Sequence, residues 1–341
     1  MRPGPVQGFL LLILSAVFLI GCEAPPDLSR VDRERARTVK RFDQFQGLAR
    51  AGEVIVAVGA RGLVVSSVDG GEHWRRQELR IKDAIITPTL IGVTACPDGR
   101  FVALDAGRRI RTSADAARTW TATALPTHEN PMAITCDPLG RIWVVASFST
   151  ILQSANGGES WSQTSFDDDL IFTTIQFLDA KQGVITGEFG AVLTTLDGGA
   201  SWNRDHVIAN EFYPQGAYFA TLDEGWVAGL HGAILHTLDG GAHWTHEATG
   251  VGVPLYGFVA AGKRLYALGG FGTVVRRAGN DWRSISQRAG RAYLRGGLIL
   301  DDGRLLVAGG AGTLRSLDVD RTAALPAAKD AKTGQTGQAS P

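Results

Sequence analysis

Gly187-Glu188-Phe189-Gly190-Ala191-Val192-Leu193-Thr194-Thr195-Leu196-Asp197-Gly198-Gly199-Ala200-Ser201-Trp202 recurs as Gly229-Leu230-His231-Gly232-Ala233-Ile234-Leu235-His236-Thr237-Leu238-Asp239-Gly240-Gly241-Ala242-His243-Trp244. Each copy reads as a short apolar strand, an Asp-Gly-Gly turn and a tryptophan that opens the next strand. Asp-Gly and Gly-Gly pairs supply the positive φ that tight hairpin turns require. A third copy runs from Gly59 to Trp74 with Asp69-Gly70-Gly71 at its turn, and Ser147 to Trp161 carries Asn156-Gly157-Gly158. Gly107 to Trp120 is degenerate, with Asp115-Ala116-Ala117; Gly269 to Trp282 has lost much of the turn, and Gly309 to Leu317 keeps only the first half. The aligned tryptophans, Trp74, Trp120, Trp161, Trp202, Trp244 and Trp282, are spaced by 46, 41, 41, 42 and 38 residues.

A period near forty residues with four short strands per unit is the signature of stacked sheets that cannot bury enough area singly. In the fifth unit the strands read Gly216 to Thr221, Gly225 to Gly229, Ala233 to Thr237, and a fourth from Trp244. The expected fold is all-β: a seven-bladed β-propeller of four-stranded antiparallel blades over residues 36–318, closed so that no long edge is left open. A six-bladed ring with appended hairpins is the alternative. The seventh unit lacks a fourth strand, and Ala36 to Phe42 is expected to close that blade by pairing with its third strand. Residues 319–341 have no apolar periodicity and read as a disordered tail.

The N-terminus carries an export signal. Arg2 precedes an apolar run from Phe9 to Ile20, too short for a typical span, and the run ends in Leu19-Ile20-Gly21-Cys22. These four residues resemble a bacterial lipobox. That resemblance implies a signal peptide over 1–21, lipidation of Cys22, a tether over 22–35, and a periplasm-facing envelope lipoprotein; Glu23 after the cysteine fits the outer-membrane pattern. The remaining cysteines, Cys96 and Cys136, fall at equivalent points of adjacent units, and a disulfide and two free thiols are both open.

Lys+Arg and Asp+Glu each number 34, so nothing global points to nucleic acid or an acidic substrate. Asp69, Asp197 and Asp239, with the tryptophans, recur once per unit and read as structural, since a catalytic group is normally needed once. The turn between second and third strands varies instead, and variation on a repeated frame suits a specific binding face. Residues recurring there include Arg61, Glu188, Phe189, Leu230, His231, Phe271 and Ala311; Arg61, Glu188, Phe189, His231 and Phe271 are candidates, joined by Asp168 and Tyr213 from the long connections. Arg276, Arg277, Arg283, Arg288, Arg291 and Arg295 form a candidate basic flank for an acidic partner or lipid head groups, or a merely solvated face. No H-E-x-x-H, G-x-S-x-G or P-loop pattern is present, so no catalytic residue, metal or cofactor is expected.

The Gly-x-x-Gly-x-[Val/Ile]-Leu-x-Thr-x-Asp-Gly-Gly-x-x-Trp units, best at Gly187 to Trp202 and Gly229 to Trp244, resemble the Ycf48/HCF136 photosystem II assembly factors. The resemblance spans roughly residues 36–318. It implies a seven-bladed propeller acting as a non-enzymatic scaffold for a membrane-protein complex, photosystem-like or, as in some bacterial relatives, an RND-type exporter. It also implies a basic patch in partner binding. A closed ring gives no intrinsic reason to dimerise, so a monomer is expected. The alternative is a glycan-binding or sialidase-like propeller, which shares the Asp boxes.

Overall fold

The structure, a computed structural model, describes residues 27–285 and 291–319. Six four-stranded antiparallel sheets and one three-stranded sheet follow one another along the chain. Blade 1 comprises Phe45–Ala51, Val54–Gly59, Leu63–Ser67 and Arg75–Gln77. Blade 2 comprises Leu90–Ala95, Phe101–Asp105, Arg109–Ser113 and Thr121–Ala124. Blade 3 comprises Pro131–Cys136, Ile142–Ala146, Thr150–Ser154 and Ser162–Ser165. Blade 4 comprises Phe172–Phe177, Gly183–Gly187, Ala191–Thr195 and Asn203–Val207. Blade 5 comprises Gly216–Phe219, Gly225–Ala228, Ile234–Thr237 and Thr245–Glu247. Blade 6 comprises Leu255–Ala261, Arg264–Gly269, Val274–Ala278 and Asp281–Ser284. Blade 7 comprises Leu294–Ile299, Leu305–Gly309 and Leu314–Leu317.

The first strands adjoin in the order blade 1 through blade 7 and back to blade 1, so the ring is seven-bladed and closed. Close approach around the axis requires small residues: a Cβ on Gly216 would lie 2.6 Å from Gly257 Cα of the next blade. Second strands are buried along their whole length in blades 2 to 5 and 7, because a neighbouring blade covers each face. Their runs are accordingly apolar rather than alternating, as in Ile142-Trp143-Val144-Val145-Ala146. Fourth strands lie at the perimeter; Ser162–Ser165 is exposed throughout, and its composition is polar. The core is therefore a set of clusters between blades, such as Trp143, Phe172, Ile185, Leu193 and Trp202 between blades 3 and 4. Cys96 and Cys136 are disulfide-bonded, with Cα atoms 5.1 Å apart, and staple blade 2 to blade 3.

The N-terminal segment links to the last blade, but through a turn rather than through a fourth ladder. Gly312 N–H, in the turn between the last two strands of blade 7, donates to Asp43 O at 2.9 Å. Val39 packs with Ala308 and Leu314. Pairing of residues 36–42 with the third strand does not occur, and the blade 7 sheet keeps three strands among the described residues. The reason is local. Asp43 N–H donates to Lys40 O at 2.9 Å, and its carboxylate accepts from Lys40 N–H at 2.8 Å, which curls the segment into a turn. Arg76 of blade 1 then holds the same buried carboxylate at 2.8 Å. The equivalent bond in blade 1 runs from Gly62 N–H to Pro88 O (2.6 Å) and in blade 3 from Ser149 N–H to Leu170 O (2.8 Å). Asp43 thus stands where every other blade has its connection to the next.

A separate unit, residues 1–37, contributes the helix Ser29–Ala36, which has no buried residue. No helix among the described residues is long and apolar enough to cross a membrane. The signal peptide over 1–21, Cys22 and Arg288 lie outside the described residues. The folded core runs on to Val319, which is buried against blade 7; positions beyond it also lie outside the described residues.

Candidate binding face

In an antiparallel four-stranded blade the second-to-third-strand turn and the connection to the next blade emerge on one side. The third-to-fourth-strand turn, which carries the Asp box, emerges on the other. The two sides are built differently.

On the box side the chemistry is spent internally. Thr195 Oγ1 donates to Asp197 Oδ1 (2.8 Å) and accepts from Gly199 N–H (2.8 Å). Asp197 also receives Ser201 N–H at 2.9 Å and Ser201 Oγ–H at 2.6 Å. Asp69 and Asp239 repeat this with His73 and His243, whose Nδ1 atoms lie 2.7 Å from the carboxylates. These donors hold Asp197, Asp239 and Asp115 down to about 2, chiefly through the Ser201 side chain, the His243 backbone N–H and the Thr119 backbone N–H respectively. The His73 backbone N–H does the same to Asp69. In blades 1, 3 and 5 the tryptophan closes the turn, with Trp74, Trp161 and Trp244 donating to Gly71, Gly158 and Gly241 O at 3.0, 3.1 and 3.0 Å. Trp120 and Trp202 pack without such a bond. Blade 6 has no box turn, and Trp282 bonds instead to Glu247 of blade 5.

On the opposite side one residue per blade sits at the tip of the second-to-third-strand turn in the left-handed region. These are Arg61 (φ 58°), Arg108 (59°), Phe148 (51°), Phe189 (54°), His231 (54°), Phe271 (53°) and Ala311 (51°). A side chain there costs about 1 kcal/mol or more relative to glycine. All seven positions carry one nonetheless, and the conformation points it outward. Phe148, Phe189 and Phe271 are 55%, 52% and 69% exposed. Sequence reading located Arg61, Phe189, His231, Phe271 and Ala311 but missed Arg108 and Phe148. The signal was available: Arg61, Phe148, Phe189 and His231 each precede their blade's tryptophan by 13 residues. The glycines that mark the other turns are missing from Ser147-Phe148-Ser149-Thr150.

The other candidates separate. Glu188 Oε1 accepts from Ile171 N–H at 2.9 Å and positions the blade 3–4 connection. Asp168 pairs with Arg204 and, through its carbonyl, accepts from Ser149 Oγ at 2.7 Å. Tyr213 is half-buried, and burial, with Glu188 nearby, pushes its phenol up. Phe212 packs into the blade 4–5 cluster and caps Gly229. The five described arginines of the predicted basic flank do not gather into one patch. Arg276 and Arg283 face each other across the outer strands of blade 6. Arg277 lies over Trp226, 4.6 Å from its ring centre, and reaches Glu247 at 3.3 Å. Arg291 is exposed in the blade 6–7 connection. Arg295 stands over Tyr256 (5.2 Å) at the central opening, a cavity of about 280 Å³ also lined by Gln46 and Met132. A second cavity of about 360 Å³, lined by Tyr218, Glu224, Trp226, Lys263 and Arg277, opens between blades 5 and 6 where the box turn is missing. No cluster of metal-ligating side chains occurs among the described residues.

Comparison with known proteins agrees with this architecture. A family model described as photosynthesis system II assembly factor YCF48 matches residues 112–204 and 161–255, the stretch that contains the best-preserved boxes. YCF48 from Cyanidioschyzon merolae superposes with a TM-score of 0.65 at 17% identity, covering 81% of this chain and 95% of that one. A structure of YCF48 bound to D1 peptide gives 0.65 at 14%, covering 80% and 91%. Virginiamycin B lyase from Staphylococcus aureus gives 0.66 at 13%, covering 80% and 94%. No curated protein sequence matches the chain. The chain is a BNR/Asp-box-type seven-bladed propeller related at the level of fold to YCF48 and to the lyase.

Proposed function

We propose that the chain is a non-enzymatic envelope scaffold, anchored through lipidated Cys22 to the periplasmic side of the outer membrane, that holds a membrane-protein complex or its assembly intermediate. The observation that carries the reading is the ring of seven left-handed turn tips on one side. A strained conformation kept at every blade, carrying three phenylalanines, two arginines, a histidine and an alanine, fits recognition better than folding. Exposed aromatic anchors on rigid turns lose little entropy on binding. The family-model match to an assembly factor, and a peptide-bound relative of the same fold, support a protein ligand. The partner is of the photosystem or RND-exporter kind.

The test is capture from detergent-solubilised envelope with a photo-crosslinker at Phe189 or Phe271. A membrane protein is expected in the crosslinked band, and Phe189→Ser with Phe271→Ser should reduce its recovery about tenfold. Recovery of no membrane protein, together with turnover of a sialoside or other glycan, would defeat the reading.

A further inference from the structure

The binding side is not uniform in charge. On blades 3 and 4 it carries Asp167, Asp168, Asp169, Glu188 and Glu211. Around blade 1 it carries Lys40, Arg41, Arg61, Arg80 and Lys82, continued by Arg108 and Arg109 on blade 2. Acidic groups are fewer here. Asp43 is buried against Arg76, Glu78 is paired with Arg80 at 2.7 Å, and Asp83 is exposed.

The same sector carries exposed apolar groups, Phe42, Ile81 and Ile85. The connection from blade 1 to blade 2 is longer than the others and folds into its own hairpin, Arg80–Ile81 against Ala84–Ile85. This insertion accounts for the 46-residue spacing between Trp74 and Trp120. Ile81 and Ile85 are more than half exposed, although β-branched residues on an isolated two-stranded hairpin gain little by standing in water. Phe42 is exposed on the other flank of the same turn. Arg61 ties the group together: its Nη2 donates to Phe42 O at 3.0 Å and its guanidinium lies 5.5 Å from the Phe42 ring centre. The adjoining Gly62 N–H fixes the base of the hairpin through Pro88 O at 2.6 Å.

We infer that this sector, Phe42, Ile81 and Ile85 framed by Arg61, Lys82 and Arg108, is a docking surface for anionic lipid head groups, so that the propeller lies on a bilayer by its blade 1 edge. Apolar tips among cations are what an interfacial surface needs: the tips enter the head-group boundary and the cations meet lipid phosphate. The position of the chain's entry selects a membrane over other occupants. Residues 38–43 lead into the ring at this sector, and Cys22 lies only 16 residues before Thr38. With eight of the intervening residues helical, that length spans at most roughly 40 Å. The orientation argument rests on the lipid-anchor reading; the surface chemistry does not. The acidic sector on blades 3 and 4 is left for the protein partner.

The test uses the chain from Glu23 onward, which lacks the acylated cysteine and retains every residue of the closed ring. Co-sedimentation with vesicles of 30% phosphatidylglycerol in phosphatidylcholine is expected, with little binding to phosphatidylcholine alone and loss of binding in high salt. Arg61→Glu with Lys82→Glu should weaken binding about thirtyfold, and Ile81→Ser with Ile85→Ser about tenfold. Both pairs are exposed, so unchanged melting temperatures serve as the folding control. Absence of binding to the anionic vesicles overturns the inference, as does binding that neither pair alters. Self-association that Ile81→Ser with Ile85→Ser abolishes, without vesicle binding, overturns it in favour of a second copy. The crosslinking experiment reads a different sector, so the two proposals fail separately.

Discussion

Glu247 of blade 5 accepts the indole N–H of Trp282 of blade 6 at 2.6 Å. Its other oxygen lies 3.0 Å from His236 Nδ1 and 3.3 Å from Arg277 Nη2. Blade 6 has no Asp box, so a carboxylate from the neighbouring blade does across the joint what the box does within a blade. Trp226 completes the joint, stacked on His236 with ring centres 4.4 Å apart and with Arg277 4.6 Å from its ring centre. Removing the carboxylate would leave the buried Trp282 indole N–H and the partly buried His236 and Arg277 without this partner. Glu247→Ala is expected to cost about 3–5 kcal/mol in denaturant unfolding, and Glu247→Gln, which keeps an acceptor for Trp282, distinctly less. Equal losses would show that the charge is immaterial.

Ala116 and Ala117 occupy the two glycine positions of the blade 2 box, at φ 58° and 63°. Ala116→Gly removes strain at a half-buried position and is expected to stabilise by about 1 kcal/mol, about 2 °C in melting temperature. Ala117→Gly should gain nothing, because the Ala117 methyl is fully buried with Phe101 and Ala103 and its packing is lost. A destabilised Ala116→Gly variant would refute the assignment of strain to that residue.

The box carboxylates make the fold acid-sensitive. Asp115, Asp197 and Asp239 are held to about 2 in the folded chain, against about 3.9 when unfolded. Between about pH 4 and about pH 2 the unfolded chain therefore binds more protons, and stability present above pH 4 drains away as pH falls through that window. Asn156 of blade 3 shows that the turn also forms without a charge: its Oδ1 accepts from Ser160 N–H at 3.0 Å and its Nδ2 donates to Ser160 Oγ at 2.9 Å. Asp197→Asn, with Ser201 in the place of Ser160, should keep the fold and reduce the fall in melting temperature between about pH 4 and about pH 2. A slope identical to that of the parent would locate the acid sensitivity elsewhere.

The repeat declared itself because each unit meets the same physical demand: Asp197 and Asp239 with their glycines must close a turn, and Trp202 and Trp244 must fill the space beside it. The number of blades, the position of Cys96 beside Cys136, and five of the seven turn tips follow from that periodicity. What escaped depends on partners distant in sequence. Glu247 is an unremarkable residue until Trp282, His236 and Arg277 surround it. Arg276 to Arg295 read as one basic flank along the chain, yet successive strands carry them from the perimeter to the axis. Asp43 curls residues 38–43 out of the extended form that an apolar Val39 and Phe42 suggested.

That last feature leaves the seam of the circle to non-covalent contacts, where the other joints add a covalent connection from blade to blade. Beside the Gly312–Asp43 bond, the Arg50–Asp301 and Glu72–Arg304 ion pairs, Tyr293 between Gln44 and Gln46, and packed side chains cross it. A Cβ on Gly312 would approach Lys40 O to 2.3 Å, so the seam tolerates no larger residue there. Residues 38–43 enter the ring at this seam, whereas Val319 at the other end packs between blades 6 and 7. Tension drawn along residues 38–43 therefore loads first the one junction held without a continuous main chain.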